Sequence, residues 1–116
     1  TRRLSTSIAP SVDEAGEAID DAVGVIADWR KPSPAYNISY RILAGTRCEN
    51  VIAAGRCVSV ADDFWELTRV IPVCALTGEV AGVAAALTAK EGKGDVRTLA
   101  MPRLREALAK RDVILP

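Results

Sequence analysis

The chain has 116 residues, 49% of them hydrophobic, with 15 basic and 15 acidic side chains and no histidine. This length and apolar content fit one domain below the usual size of a complete cofactor enzyme and exclude a disordered chain. The balanced charge offers no field for nucleic acid or an anionic membrane, and without histidine there is neither a Ser-His-Asp or Cys-His nucleophile nor an imidazole metal site.

Leu4, Thr6 and Ile8 alternate with Arg3, Ser5 and Ser7, the pattern of a half-buried strand, which Pro10 ends. Ser11 and Glu14 have the spacing of a capping box. It predicts a short helix over residues 11–19 with Val12, Ala15 and Ile19 on one side. Residues 23–27 read as a short strand, and Pro32-Ser33-Pro34 imposes an extended turn.

The clearest strand is expected over residues 36–42. Tyr36, Ile38, Tyr40 and Ile42 alternate with Asn37, Ser39 and Arg41, placing two aromatics on one face. After a turn at Ala44-Gly45-Thr46, residues 51–54 form an apolar run without alternation, the pattern of a strand covered on both faces. Residues 62–67 suggest a helical turn.

Residues 72–90 read as a long helix opened by Pro72 and closed by Gly92-Lys93-Gly94. Gly78, Gly82 and Ala86 recur every four residues along it. Each interior glycine costs roughly 1 kcal/mol relative to alanine, so a backbone or cofactor is expected close against that face. Residues 70–89 are also long enough to cross a bilayer. Glu79 near the centre opposes insertion by roughly 2.5–3.5 kcal/mol, and a core helix without a membrane partner is expected. Pro102 opens a last helix that turns Leu104, Ala107 and Leu108 inward and pairs Glu106 with Lys110, and residues 113–115 are expected to dock on the core.

Cys48, Cys57 and Cys74 are odd in number and lack Cys-x-x-Cys spacing, which fits a reduced, cytoplasmic protein with inert thiols. The chain starts at Thr1 without methionine or a signal-peptide core and reads as an excerpt of a longer protein or a processed product.

An apolar run ending at Gly55 and a proline-initiated helix at Ile71-Pro72-Val73 would aim backbone N–H groups at an anionic or electron-rich ligand. The plainer reading is a core helix that happens to begin at proline. Arg56 and Arg69 flank the connection and would clamp a phosphate or carboxylate, or pair with Asp62, Asp63 or Glu66 as ordinary surface charge. Asp62 and Asp63 offer a general base or a solvated acidic pair. No catalytic residue and no metal site is assigned.

Tyr36-Asn37-Ile38-Ser39-Tyr40-Arg41, the stretch from Glu49 through Gly55-Arg56-Cys57 to Ser59, Arg69-Val70-Ile71-Pro72-Val73-Cys74 and the helix from Gly78 to Leu87 resemble the C-terminal region of a family of FAD-dependent oxidoreductases. The resemblance extends over essentially the whole chain. It implies an α/β architecture (α+β in isolation): several strands, a long Ala/Gly-rich helix and a C-terminal helix forming the end of a two-domain Rossmann-like flavoprotein. Residues 1–44 would belong to the substrate-domain side and residues 45–116 to the FAD-binding domain, as one compact unit.

The resemblance further implies that Gly55, Arg56, Arg69, Val70, Ile71 and Val73 line the cofactor. The helix start would meet the N1/O2 edge of the isoalloxazine, where negative charge gathers on reduction. Glu79 stands where a glutamine is usual, and Asp62-Asp63 where His-Glu is frequent. No Gly-x-Gly-x-x-Gly occurs. FAD is therefore expected only with an N-terminal remainder of the protein, acting on an unidentified small-molecule substrate. The isolated chain would be inactive and prone to homo-oligomer formation through apolar strands left uncovered. The alternative is a flavin-free binding or assembly module on the same scaffold.

Overall fold

A computed structural model of the chain describes residues 4–32, 34–61, 63–91 and 94–116. Expectations placed on Thr1, Arg2, Arg3, Ser33, Asp62, Gly92 and Lys93 lie outside the described residues. The architecture is α+β. Strands β1 (Ala22–Ile26) and β2 (Tyr36–Ser39) form an antiparallel pair, and α1 (Phe64–Thr68), α2 (Ile71–Lys90) and α3 (Met101–Ala109) follow. Among the described residues there is no parallel sheet, so the α/β expectation gives way to the α+β one.

The alternation over residues 4–8 governs burial without making a strand. Leu4, Thr6 and Ile8 are half-buried while Ser5 and Ser7 are exposed. The segment touches its neighbours only at intervals: Leu4 N–H donates to Cys57 O at 3.0 Å, and Ser5 O accepts from Thr46 N–H at 3.1 Å. No continuous ladder forms among the described residues.

The capping box at Ser11 is present, its amide donating to the Glu14 carboxylate at 2.9 Å. It closes only a three-residue 3-10 turn, Val12–Glu14. Ala15 leaves the helical region at ψ 129°, and Gly16 reverses the chain at φ +79°.

β1 forms one residue ahead of its expected start. β2 stops at Ser39, short of the expected end at Ile42. The Ser39 hydroxyl accepts from Arg41 N–H at 3.2 Å and donates to Asp21 Oδ2 at 2.5 Å, capping a 3-10 turn over Tyr40–Ile42. Tyr36, Ile38, Tyr40 and Ile42 are nevertheless all buried, as their alternation predicts.

Residues 51–54 depart furthest from expectation. They make one isolated antiparallel bridge, Ala44 to Ile52, and Ala53 N–H donates to Leu43 O at 2.8 Å. Val51 is 43% exposed. Among the described residues the run has no further strand partner, and it does not form the doubly covered strand its composition suggests.

The helices match better. α2 begins where Val70 is extended and proline occupies the first turn, and α3 begins the same way at Met101-Pro102. α3 buries Leu104 and Leu108, and Lys110 Nζ meets Glu106 at 2.6 Å. Val113 and Leu115 pack on the core while Ile114 points outward.

α2 is long and apolar enough to span a membrane by length and composition. In this fold it buries the row Val73, Thr77, Val80, Ala84 and Thr88 together with Ala81. Gly78 and Gly82 lie on the opposite, exposed side, and a Cβ at either would meet nothing within 4 Å. The expectation of close packing on the glycine face is therefore corrected for this chain: that face is open.

One core spans both sides of Gly45. Val23, Tyr36, Ile38, Tyr40 and Ile42 join Val58, Phe64, Leu67, Val80, Leu104 and Leu108 in a single cluster. Arg105 Nε donates to Ala22 O at 2.8 Å, tying α3 to β1, and the Tyr40 hydroxyl donates to Val96 O at 2.8 Å, joining the turn after β2 to the segment before α3.

Candidate functional site

Extended Ala54 feeds a 3-10 turn, Gly55–Cys57, in which Gly55 takes φ +69°. An L-residue there is strained by roughly 1–2 kcal/mol. The turn lies against the start of α2, since a Cβ on Gly55 would stand 3.6 Å from Cys74 Sγ. The Gly55 amide donates to Thr77 Oγ1 at 2.9 Å. Cys74 Sγ in turn lies 3.5 Å from Arg69 O and 3.7 Å from Thr68 O, which holds the link between α1 and α2.

The start of α2 projects outward. Ile71 is 85% exposed and Pro72 is exposed, while Val73 is buried and anchors the turn. No side chain caps the helix, and Val70 O accepts from Cys74 N–H at 3.0 Å. Among the described residues the N–H groups of Ile71 and Val73 have no acceptor, and Pro72 has no N–H to offer. A 20-residue helix places about half a positive charge at such an end, available to a group that accepts hydrogen bonds.

The two arginines have different surroundings. Arg56 is exposed and, among the described residues, has no ion-pair partner; its carbonyl accepts from Trp65 Nε1 at 3.3 Å. Arg69 donates to Glu66 Oε2 at 2.9 and 2.7 Å, and its guanidinium lies 5.3 Å from the Trp65 ring centroid. The plainer reading of Arg69, a surface ion pair with Glu66, is thus the geometry found. Of the six residues singled out in the sequence, the structure gathers Gly55, Val70, Ile71 and Val73 around the α2 start. Asp63 is exposed and forms no side-chain cap on α1.

Sequence reasoning missed two features. One is Thr77, a lone hydroxyl among apolar neighbours whose i−4 relation to Val73 was the available signal. The other is a groove of ≈ 470 Å³ beside the α2 start, walled by Val25, Ala27, Trp29, Pro72, Leu76 and Ile114. Trp29 and Ile114 are 60% and 76% exposed, and Glu79 pairs with Arg111 at 2.7 Å along its rim. A second cavity of ≈ 340 Å³ lies over Tyr36 and Phe64, and its Arg41 is already bound to Asp21 at 3.0 Å. No group of metal-binding side chains occurs among the described residues.

A positive-φ glycine turn thus lies against an uncapped, proline-containing helix start. The chain belongs to the FAD dependent oxidoreductase family, whose description matches residues 16–108. No curated protein and no solved structure matches it significantly.

Proposed function

We propose that this chain is the C-terminal part of an FAD-dependent oxidoreductase and supplies the surface that meets the flavin ring and ribityl-phosphate region. The observation that carries the reading is the open start of α2, with free amides at Ile71 and Val73 beside the Gly55 turn. The donor set fits the group: neutral backbone N–H donors and a helix dipole suit an edge that gathers negative charge, and the missing Cβ at Gly55 lets its turn take φ +69° against Cys74 at the helix start.

FAD supplies hydride or electron transfer when bound. The chain's own part is to bind and to polarise. The amides of Ile71 and Val73 donate to the electron-rich edge, Val70 and Val73 fix the turn that carries them, Arg56 adds positive charge nearby, and Arg69 would add its own on leaving Glu66. The adenosine-diphosphate half of the site has no counterpart in this sequence, which lacks a Gly-x-Gly-x-x-Gly. An N-terminal remainder with a Rossmann-like sheet is the partner this requires, and the isolated chain is inactive. A small molecule is the substrate, with no role for nucleic acid or membrane. The three free thiols support a reducing, cytoplasmic setting.

The test is flavin capture. The purified chain should be colourless, and co-expression with the N-terminal portion of its parent protein should restore the visible flavin absorption. A colourless complex would favour a flavin-free assembly module.

A further inference from the structure

We propose that Thr77 is a positioning residue that locks the Gly55 turn to the first turn of α2, setting the separation between the two backbone segments that face the flavin; this rests on the reading above. Thr77 is buried to 1% exposure in the second turn of an apolar helix, where a hydroxyl needs partners. Its proton is shared between Val73 O at 2.9 Å and Cys74 O at 3.1 Å, the carbonyls of the first helical turn.

A threonine that bonds back along its own helix in this way still has acceptor capacity. That capacity is filled by the Gly55 amide at 2.9 Å, from a residue 22 positions away in sequence. One oxygen therefore grips both halves of the site. Cys74, which follows Val73 in the same turn, packs against Gly55 as well. Thr77 itself is too deeply buried to touch a ligand, so its influence on the flavin runs through Gly55 and Val73.

The contrast between Thr77→Val, which keeps the shape and loses the oxygen, and Thr77→Ser, which keeps the oxygen, tests this. In the 116-residue chain, amide exchange at Gly55 should accelerate roughly tenfold in Thr77→Val and stay near the wild-type rate in Thr77→Ser. In the longer flavoprotein, Thr77→Val should weaken flavin affinity and shift the reduction potential, and Thr77→Ser should restore both. Should Thr77→Val fail to fold, Thr77→Ala against Thr77→Ser carries the same contrast.

Unchanged Gly55 exchange in the valine variant overturns the inference. So does faster exchange with unaltered flavin affinity and potential, which would make the bond merely structural. A wild-type longer protein that holds no flavin overturns the functional reading itself, and this role with it. The wild type thus reports on that reading, and the variants on Thr77.

Discussion

The guanidinium of Arg69 rests 5.3 Å from the ring centroid of Trp65 while Glu66 holds its Nη2 at 2.7 Å. The pair is part-exposed, so its worth to folding is small: roughly 0.2–1 kcal/mol for such an ion pair and 0.5–1 kcal/mol for the stacked cation. Arg69→Ala should lower the urea midpoint only slightly and alter Trp65 fluorescence. In the flavin-binding assembly proposed above the same change should weaken flavin retention, and unaltered affinity would remove Arg69 from the site.

The two kinds of glycine should respond in opposite ways. Gly82 lies exposed in α2 with open space where a Cβ would sit, so Gly82→Ala should raise stability by about 0.5–1 kcal/mol. Gly55→Ala should lower it by about 1–2 kcal/mol because φ is +69°, even though the new Cβ would meet Cys74 Sγ at an ordinary 3.6 Å. Chemical denaturation of both variants reads the difference directly. A loss on Gly82→Ala would mean that the exposed face of α2 is covered in solution.

Acid sensitivity should centre on Asp21. Burial pushes its carboxyl up, but the Arg41 guanidinium, the Ser39 hydroxyl and the Arg41 amide outweigh that and hold it below the usual carboxylate value. A folded-state value below the unfolded one means the contribution is present above the unfolded pKa and disappears as pH falls through the folded one. Asp21→Asn should cost roughly 1–3 kcal/mol at neutral pH by breaking this network. Its stability should also vary less between neutral and acid pH than that of the wild type, as thermal melts across that range would reveal.

Tyr40 provides the alkaline counterpart. Burial, with a contribution from Asp95, pushes its hydroxyl up to about 12, and that hydroxyl donates to Val96 O at 2.8 Å. A raised value means that stability is intact below the ordinary tyrosine pKa and is lost as pH climbs toward 12. Tyr40→Phe should cost roughly 1–3 kcal/mol, since Val96 O loses its buried donor. It should also flatten the alkaline limb of the stability profile measured by denaturation.

Much of the helical half was legible. Pro72 and Pro102 mark two helix starts because proline presets φ and needs no hydrogen-bond acceptor there, and the spacing of Leu104 and Leu108 identifies the buried face of α3. The strand half was legible in burial but not in pairing. Alternation at residues 4–8 and 36–42 identifies the inward side chains, although Ser39 on the polar side is buried as well, and whether a ladder forms depends on a partner strand. Ser39, bound to Asp21, ends β2 three residues early. The apolar run at 51–54 carried no sign that it would have no further strand partner among the described residues. At the site, the amide-bearing helix start was readable, whereas the Arg69–Glu66 pair was one of three candidate pairings and the apolar groove at Trp29 and Ile114 gave no local signal.

The amino-acid order alone determined α2, α3 and the inward-facing row from Tyr36 to Ile42, because steric preset and hydrophobic periodicity act within a few residues of chain, and its resemblance to a known family carried the rest. The tertiary structure decided which side of α2 is buried, since a helix apolar on nearly every side has no preferred face until neighbours choose one. It also brought Gly55 to Thr77 across the fold, a contact set by packing between distant segments rather than by any local pattern.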